Sequence, residues 1–241
     1  MISRVLGWVN RAAFAVGLFA VTTTGQATAQ GRPVVVELYT SQGCSSCPPA
    51  DAFLATLAPR KNVIALALHV DYWDYIGWKD VFASPQFSHR QKSYARHTGR
   101  RSVYTPQMVI QGQDEVVGTH PMDVSELVMK HQRSAGNIDL KISRSKPGEI
   151  AISAQATRPL DHELVVQIVR YRPSAQIAVL RGENAGRTLA YTNIVTEWSV
   201  IGQWDSRQPL SIKAKAAGDL PVVVLVQRQG PGAIEAAARI K

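Results

Sequence analysis

Cys44 and Cys47 are the only cysteines in a chain of 241 residues, and they sit where an apolar run hands over to an amphipathic one. Residues 34–58, VVVELYTSQGCSSCPPADAFLATLA, read as a short buried strand, a tight turn, a Cys-x-x-Cys pair and a helix. That order puts Cys44 near a helix N-terminus. Unpaired backbone N–H groups and the positive end of the helix dipole there favour a thiolate over a thiol. A thiolate attacks disulfides and binds soft metals. As a staple the pair is poorly placed, because a loop of about four residues contributes roughly 2 kcal/mol on the chain-entropy model, less than a longer one would. Redox chemistry or metal binding accounts for the spacing better.

The first 29 residues have the pattern of an export signal. Arg4 and Arg11 flank a short basic region, residues 12–21 form an apolar run, and Ala27-Thr28-Ala29 supplies the small-x-small cleavage pattern. The run is too short to span a bilayer comfortably, which favours a cleaved signal over an anchor. The expected product is soluble and located in the periplasm or secreted. An oxidising compartment permits disulfides, yet only one pair is available. The formal charge of +9 falls to +7 without Arg4 and Arg11. The remaining Lys and Arg are scattered, so nothing demands nucleic acid, although loose association with anionic envelope surfaces is compatible.

Residues 62–70, NVIALALHV, are nearly all apolar and read as a strand buried on both faces. Residues 71–80 would then leave the sheet at the edge where Cys44 lies, the edge at which open α/β sheets place ligands. A helix follows over 84–98, with Ser84-Pro85 as its start and Gly99 as its stop. Residues 101–117 read as a hairpin turning at Gln111-Gly112, and residues 121–133 as a last helix. Beyond Gly136 the texture changes to alternating runs such as EIAISAQAT and HELVVQIVRY, which suggest an antiparallel sandwich. The expected organisation is a signal peptide over 1–29, an α/β domain over 30–136 and an all-β domain over 137–241.

Strand, Cys-x-x-Cys, helix, strand, helix, hairpin and helix is the element order of the thioredoxin fold. The strings ELYTSQGCSSCPPAD, ALHVDYWDYIGWKD, YTPQMVIQG and RGENAGR together resemble a family of exported bacterial thioredoxin-like proteins, a domain family of unknown function. The resemblance implies an α/β thioredoxin-like domain followed by an immunoglobulin-like sandwich. It also implies roles for individual residues. Cys44 would be the attacking thiolate and Cys47 the resolving thiol. Pro106 would form a cis bond facing the pair, and Thr105 would offer backbone groups to an extended substrate. Glu37 would be the buried acid beneath the pair, taking the proton of Cys47. The Ser45-Ser46 dipeptide lacks the proline or histidine of the familiar enzymes, so the redox poise is open. Pro48-Pro49 requires a helix start whose first N–H groups are orphaned anyway.

His69, Asp71, Trp73, Asp74 and Trp78 gather near the same edge in sequence. They fit a substrate cleft, with His69 or Asp71 tuning the thiols. Cys44, Cys47 and His69 also fit a soft-metal ligand set, and the aromatics fit a packed core with carboxylates as caps. His89 and His97 fall in a polar, solvated helix face, and residues 182–186 read as a hairpin turn. The reading overall is an exported thiol–disulfide oxidoreductase-like protein acting on a protein or small-thiol disulfide, with no cofactor. Its rivals are copper or zinc delivery through the same cysteines and a non-catalytic envelope binding module.

Overall fold

The structure, a computed structural model, describes Ile2 and residues 32–240. The expected signal over residues 1–29 therefore lies outside the described residues, Ile2 apart. Residues 31–241 form one compact unit. The first half alternates β1 (Val34–Thr40), α1 (Pro48–Leu57), β2 (Val63–His69), α2 (Pro85–His97), β3 (Gln107–Ile110), β4 (Asp114–Val117) and α3 (Pro121–Arg133). All strands follow from there: β5 (Ile138–Lys146), β6 (Glu149–Ala156), β7 (Leu164–Ala178), β8 (Thr188–Trp204), β9 (Leu210–Lys215), β10 (Val222–Arg228) and β11 (Ile234–Ile240).

β1 and β2 are buried at every position and lie parallel, Val34 opposite Val63 through Thr40 opposite His69. Such strands need a neighbour on each edge and cover on each face. β3 satisfies one edge of β1 in antiparallel register, and β4 continues outward from β3. α1 and α3 cover one face, where Val34, Val36 and Leu38 meet Leu54, Leu57, Val124 and Val128. α2 covers the other, where Val35 and Tyr39 meet Phe87 and Tyr94.

The far edge of β2 overturns the expected pairing of a thioredoxin-like domain with a separate immunoglobulin-like sandwich. β8 bridges β2 at Ala67 and Ile194, and Asn193 Nδ2 donates to the Ala65 carbonyl at 2.9 Å. The strands then run β11-β10-β7-β8-β2-β1-β3-β4 in one mixed sheet of eight. The remaining strands, β5-β6-β9, make a small second sheet that packs Ile150, Ile152 and Ala154 against Val166, Val224 and Ala236 of the large one. The physical reason is edge satisfaction. A strand buried along its whole length such as β2 leaves a row of backbone donors and acceptors unmet unless another strand borders it, and β8 borders it at Ala67. Among the described residues no helix is long and apolar enough to cross a membrane.

Candidate active site

Cys44 and Cys47 occupy the turn between β1 and α1 and are joined as a disulfide, with Cα atoms 5.4 Å apart. The turn is built by backbone bonds, Cys44 N–H to the Ser41 carbonyl and Cys47 N–H to the Cys44 carbonyl. Pro48 and Pro49 fill the first positions of α1, where a missing N–H leaves nothing unsatisfied. Both cysteines are buried, Cys44 at 1% exposure and Cys47 at 0%, while Ser45 and Ser46 between them face solvent. The Ser46 hydroxyl lies 3.5 Å from Cys44 Sγ.

Three segments converge on this turn. The first follows β2. Trp73 packs its Cβ 3.2 Å from where a side chain on Gly43 would begin, and its indole N–H donates to Thr105 Oγ1 at 2.7 Å. The indole thus spans from the residue before Cys44 to the residue before Pro106. The second segment is the start of β3. The Thr105–Pro106 bond is cis, and the register that sets Tyr39 opposite Gln107 brings Pro106 to the end of β1.

The third segment is the tip of the β7–β8 hairpin. Asn184, fully buried, donates from Nδ2 to the carbonyls of Gln42 at 2.9 Å and Cys44 at 3.0 Å. Arg187 Nη1 donates to Asn184 Oδ1 at 2.8 Å and holds the amide in place. Glu183 Oε2 accepts the Ser45 N–H at 3.3 Å. The turn read from residues 182–186 is a hairpin turn, and it grips the cysteine loop.

Glu37 is buried, but not beneath the pair. Side chains alternate along β1, so Glu37 shares a face with Val35 and Tyr39 under α2, whereas α1 lies on the opposite face. Its carboxylate is taken by Arg90, which donates from Nε at 2.7 Å and from Nη2 at 2.8 Å, and by the hydroxyls of Tyr39 and Tyr94. The Arg90 guanidinium in turn lies 3.9 Å from the centre of the Trp198 ring. A carboxylate so paired is an architectural anion. The proton-accepting role expected of Glu37 has no route across the sheet to Cys47.

The buried acid on the cysteine side is Asp51, one helical turn beyond Cys47, with its N–H on the Cys47 carbonyl at 3.1 Å. Residues four apart on a helix share a face, with Cβ atoms roughly 5–6 Å apart. Asp51 Oδ2 accepts the Thr40 hydroxyl at 3.1 Å, and Oδ1 has no partner. Burial pushes the Asp51 carboxyl up to about 7, against the opposing pull of the His69 ring and the Thr40 hydroxyl.

His69 sits beside it, fully buried, with Nδ1 2.7 Å from Asp80 Oδ2. Asp80 also accepts the backbone N–H of Gln42 on Oδ2 and of Phe82 on Oδ1, each at 2.8 Å. The His69 ring makes edge contacts with Phe82 and Tyr191, at 5.3 and 4.7 Å between centres. Asp71, by contrast, turns toward α2 and pairs with Ser88. Six buried side-chain polar atoms lack a partner among the described residues, and four belong here: Asp51 Oδ1, His69 Nε2, Tyr191 Oη and Gln42 Nε2. Each such group costs about 1–3 kcal/mol to bury unmet.

The structure therefore brings Cys44, Cys47, Trp73, Thr105 and Pro106 to one edge, sets His69 behind them, and leaves Glu37 and Asp71 on other business. Asp51 had a readable signal: an acid falling between Ala50 and Leu54 on the apolar side of a helix that starts at a cysteine. Asn184 falls in the RGENAGR string of the resemblance, but nothing local to that string gives its contact, because the partner is 140 positions away. A cavity of about 720 Å³ opens elsewhere, among Tyr94, His97, Glu115, His162 and Arg228. Among the described residues no three His, Cys, Asp or Glu side chains are grouped to hold a metal ion.

A family model described as "Protein of unknown function (DUF1223)" matches residues 35–227. The chain is similar to the crystal structure of protein AGR_C_4864 from Agrobacterium tumefaciens, at 30% identity and a TM-score of 0.75, over 88% of this chain and 96% of that one. It shares a fold with HBP35 of Porphyromonas gingivalis at 13% identity and a TM-score of 0.65, over 87% of this chain and 75% of that one. No curated protein matches.

Proposed function

We propose that this chain, which belongs to the DUF1223 family of proteins of unknown function, is a thiol–disulfide oxidoreductase acting through Cys44 and Cys47. The observation that carries the reading is the pair itself. The only two cysteines of the sequence are bonded to each other across three positions, at a sheet edge and a helix start, where the bond ties no distant segments together. In the reduced protein, the helix N-terminus and the Ser46 hydroxyl would stabilise a Cys44 thiolate. That thiolate attacks a substrate disulfide, a mixed disulfide forms, and Cys47 displaces the substrate thiol. Oxidation of a substrate dithiol uses the same atoms in reverse.

A relationship of residues 30–136 to thioredoxin-like enzymes, export through residues 1–29, and work in the periplasm or outside the cell belong to the same reading. The partner class is a protein or small-thiol disulfide. Tyr75, 80% exposed, stacks on Trp73 beside the turn, and such an exposed aromatic suits a flexible polypeptide carrying apolar residues near its cysteine. Thr105 and Trp73 would contact that segment.

The burial of Cys44 favours a second reading, in which the disulfide braces a non-catalytic envelope binding module. Trapping separates the two. Cys47→Ser protein expressed in its native compartment should retain covalent partners on Cys44, released by reductant and absent from the Cys44→Ser, Cys47→Ser control. Capture of nothing, alongside a working control oxidoreductase, would leave the brace.

A further inference from the structure

The resolving cysteine is sealed from solvent, so the proton it must lose needs an internal acceptor. Cys47 is 0% exposed, and the buried carboxylate on the opposite face of β1 is already committed to Arg90. What lies behind Cys47 is a set of unmet polar atoms from four elements: Asp51 on α1, His69 on β2, Tyr191 on β8 and Gln42 in the cysteine turn. Asp51, His69, Tyr191 and Gln42 are all more than nine-tenths buried. The His69 ring lies 4.7 Å from the Tyr191 ring, and Asp51 and Tyr191 both feel the charge of Asp80, so the groups are near neighbours. Such clustering is unusual where most buried polar atoms are paired, and a polar space with several donors and acceptors is one that holds water.

His69 is oriented within this set. Both oxygens of Asp80 already accept backbone N–H groups, so Asp80 acts as acceptor to the ring and the shared proton sits on Nδ1. Nε2 is then the free end of the imidazole, directed away from Asp80. A carboxylate holding Nδ1–H in this way fixes the tautomer and leaves Nε2 as the ring's proton-accepting end.

We propose that Asp51 accepts the proton of Cys47 and passes it through a buried water to His69, with Asp80 and Tyr191 as positioning residues. The proposal rests on the thiol–disulfide reading above. The reduced protein starts as a Cys44 thiolate and a Cys47 thiol. Cys44 attacks the substrate disulfide, forming the Cys44–substrate bond and expelling one thiolate. Cys47 gives its proton to ionised Asp51, and the new thiolate attacks Cys44 sulfur. The Cys44–Cys47 bond forms, the second substrate thiolate leaves, and two electrons have passed to the substrate. One proton then resides on the Asp51–His69 pair, to be returned through solvent to a leaving thiolate. The groups facing this space are Asp51, His69, Asp80 and Tyr191, with Arg187 of the hairpin tip acting on Tyr191.

Burial that raises Asp51 to about 7 supplies a sign. The accepting form becomes populated as pH rises through neutrality, so resolution should quicken there. The test mixes reduced protein with a chromogenic aromatic disulfide, which releases one coloured thiolate on capture by Cys44 and a second on resolution. The readout is the ratio of the second rate to the first between pH 5.5 and 9. Asp51→Asn should lower that ratio by about ten-fold or more at pH 7 and remove the inflection near neutrality, and His69→Gln should lower it several-fold. Tyr191→Phe, which deletes one hydroxyl and spares the fold, should lower it about two-fold or more by loosening the water. Wild-type ratios and inflection in the folded variants would overturn the relay. Absence of any capture phase in the wild type would instead sink the thiol–disulfide reading on which it stands.

Discussion

Asn184 Nδ2 lies 3.0 Å from the carbonyl oxygen of Cys44, 140 positions earlier in the chain, and 2.9 Å from that of Gln42. The tip of a long hairpin thereby becomes a wall of the cysteine turn. The Cys44 carbonyl also accepts the Cys47 N–H at 3.3 Å, so the amide is its second donor, whereas for the Gln42 carbonyl it is the donor that lets that group be buried.

Removing that donor should loosen the turn. Asn184→Ala is expected to cost about 1–3 kcal/mol, since the Gln42 carbonyl loses its donor while the Cys44 carbonyl keeps the Cys47 N–H. Hydrogen exchange over residues 41–46 should accelerate more than exchange in β1 or β2. Denaturant unfolding with exchange mass spectrometry measures both, and uniform acceleration across the sheet would contradict a local clasp.

Trp73 crosses the same edge from Gly43 to Thr105. Trp73→Ala should open the approach to Cys44, and capture of an aromatic disulfide by the reduced protein should quicken by about three-fold or more as the attacking sulfur gains access. Trp73→Phe, which keeps an aromatic ring but loses the fused pyrrole ring and its N–H, should fall between. Stopped-flow capture rates decide the order of the three proteins.

Glu37 and Arg90 form a buried bidentate pair, Glu37 wholly enclosed and Arg90 at 11% side-chain exposure. Breaking such a pair from one side strands a charge, at a cost of about 3–5 kcal/mol. Arg90→Met should therefore destabilise strongly in denaturant unfolding, and Glu37→Gln should do so as well. Neither should move the inflection of the resolution step, because the pair lies across the sheet from Cys47.

The pH dependence of stability should carry the mark of Asp51. Its folded carboxyl is raised from the usual 3.8 to about 7. Between those values the native state holds a proton that the unfolded chain has released, so stability falls as pH rises from about 4 to about 7 and levels off above. The full span corresponds to an order of 4 kcal/mol. Asp51→Asn should flatten this slope, leaving the difference between variant and wild type largest and most favourable to the variant above neutrality. Thermal unfolding from pH 4 to 8 measures it, and parallel curves would show that Asp51 does not hold its proton.

Local pattern determined much of this protein. The Cys-x-x-Cys turn, the helix starting at Ser84-Pro85, the turn at Gly112 and the burial of residues 63–69 all follow from periodicity, proline placement and turn chemistry, which act over a few residues. The strand-like runs beyond Gly136 are legible as strands as well, but not the sheet to which each belongs. What local pattern lacked was the identity of each strand's neighbour. Whether β2 ends a sheet or sits inside one depends on which distant edge satisfies its backbone, and β8 supplies that edge from more than a hundred residues away. The same limit governed the site. A carboxylate in a strand declares its type but not its face, so only packing decided that Glu37 answers Arg90 while Asp51 stands behind the cysteines.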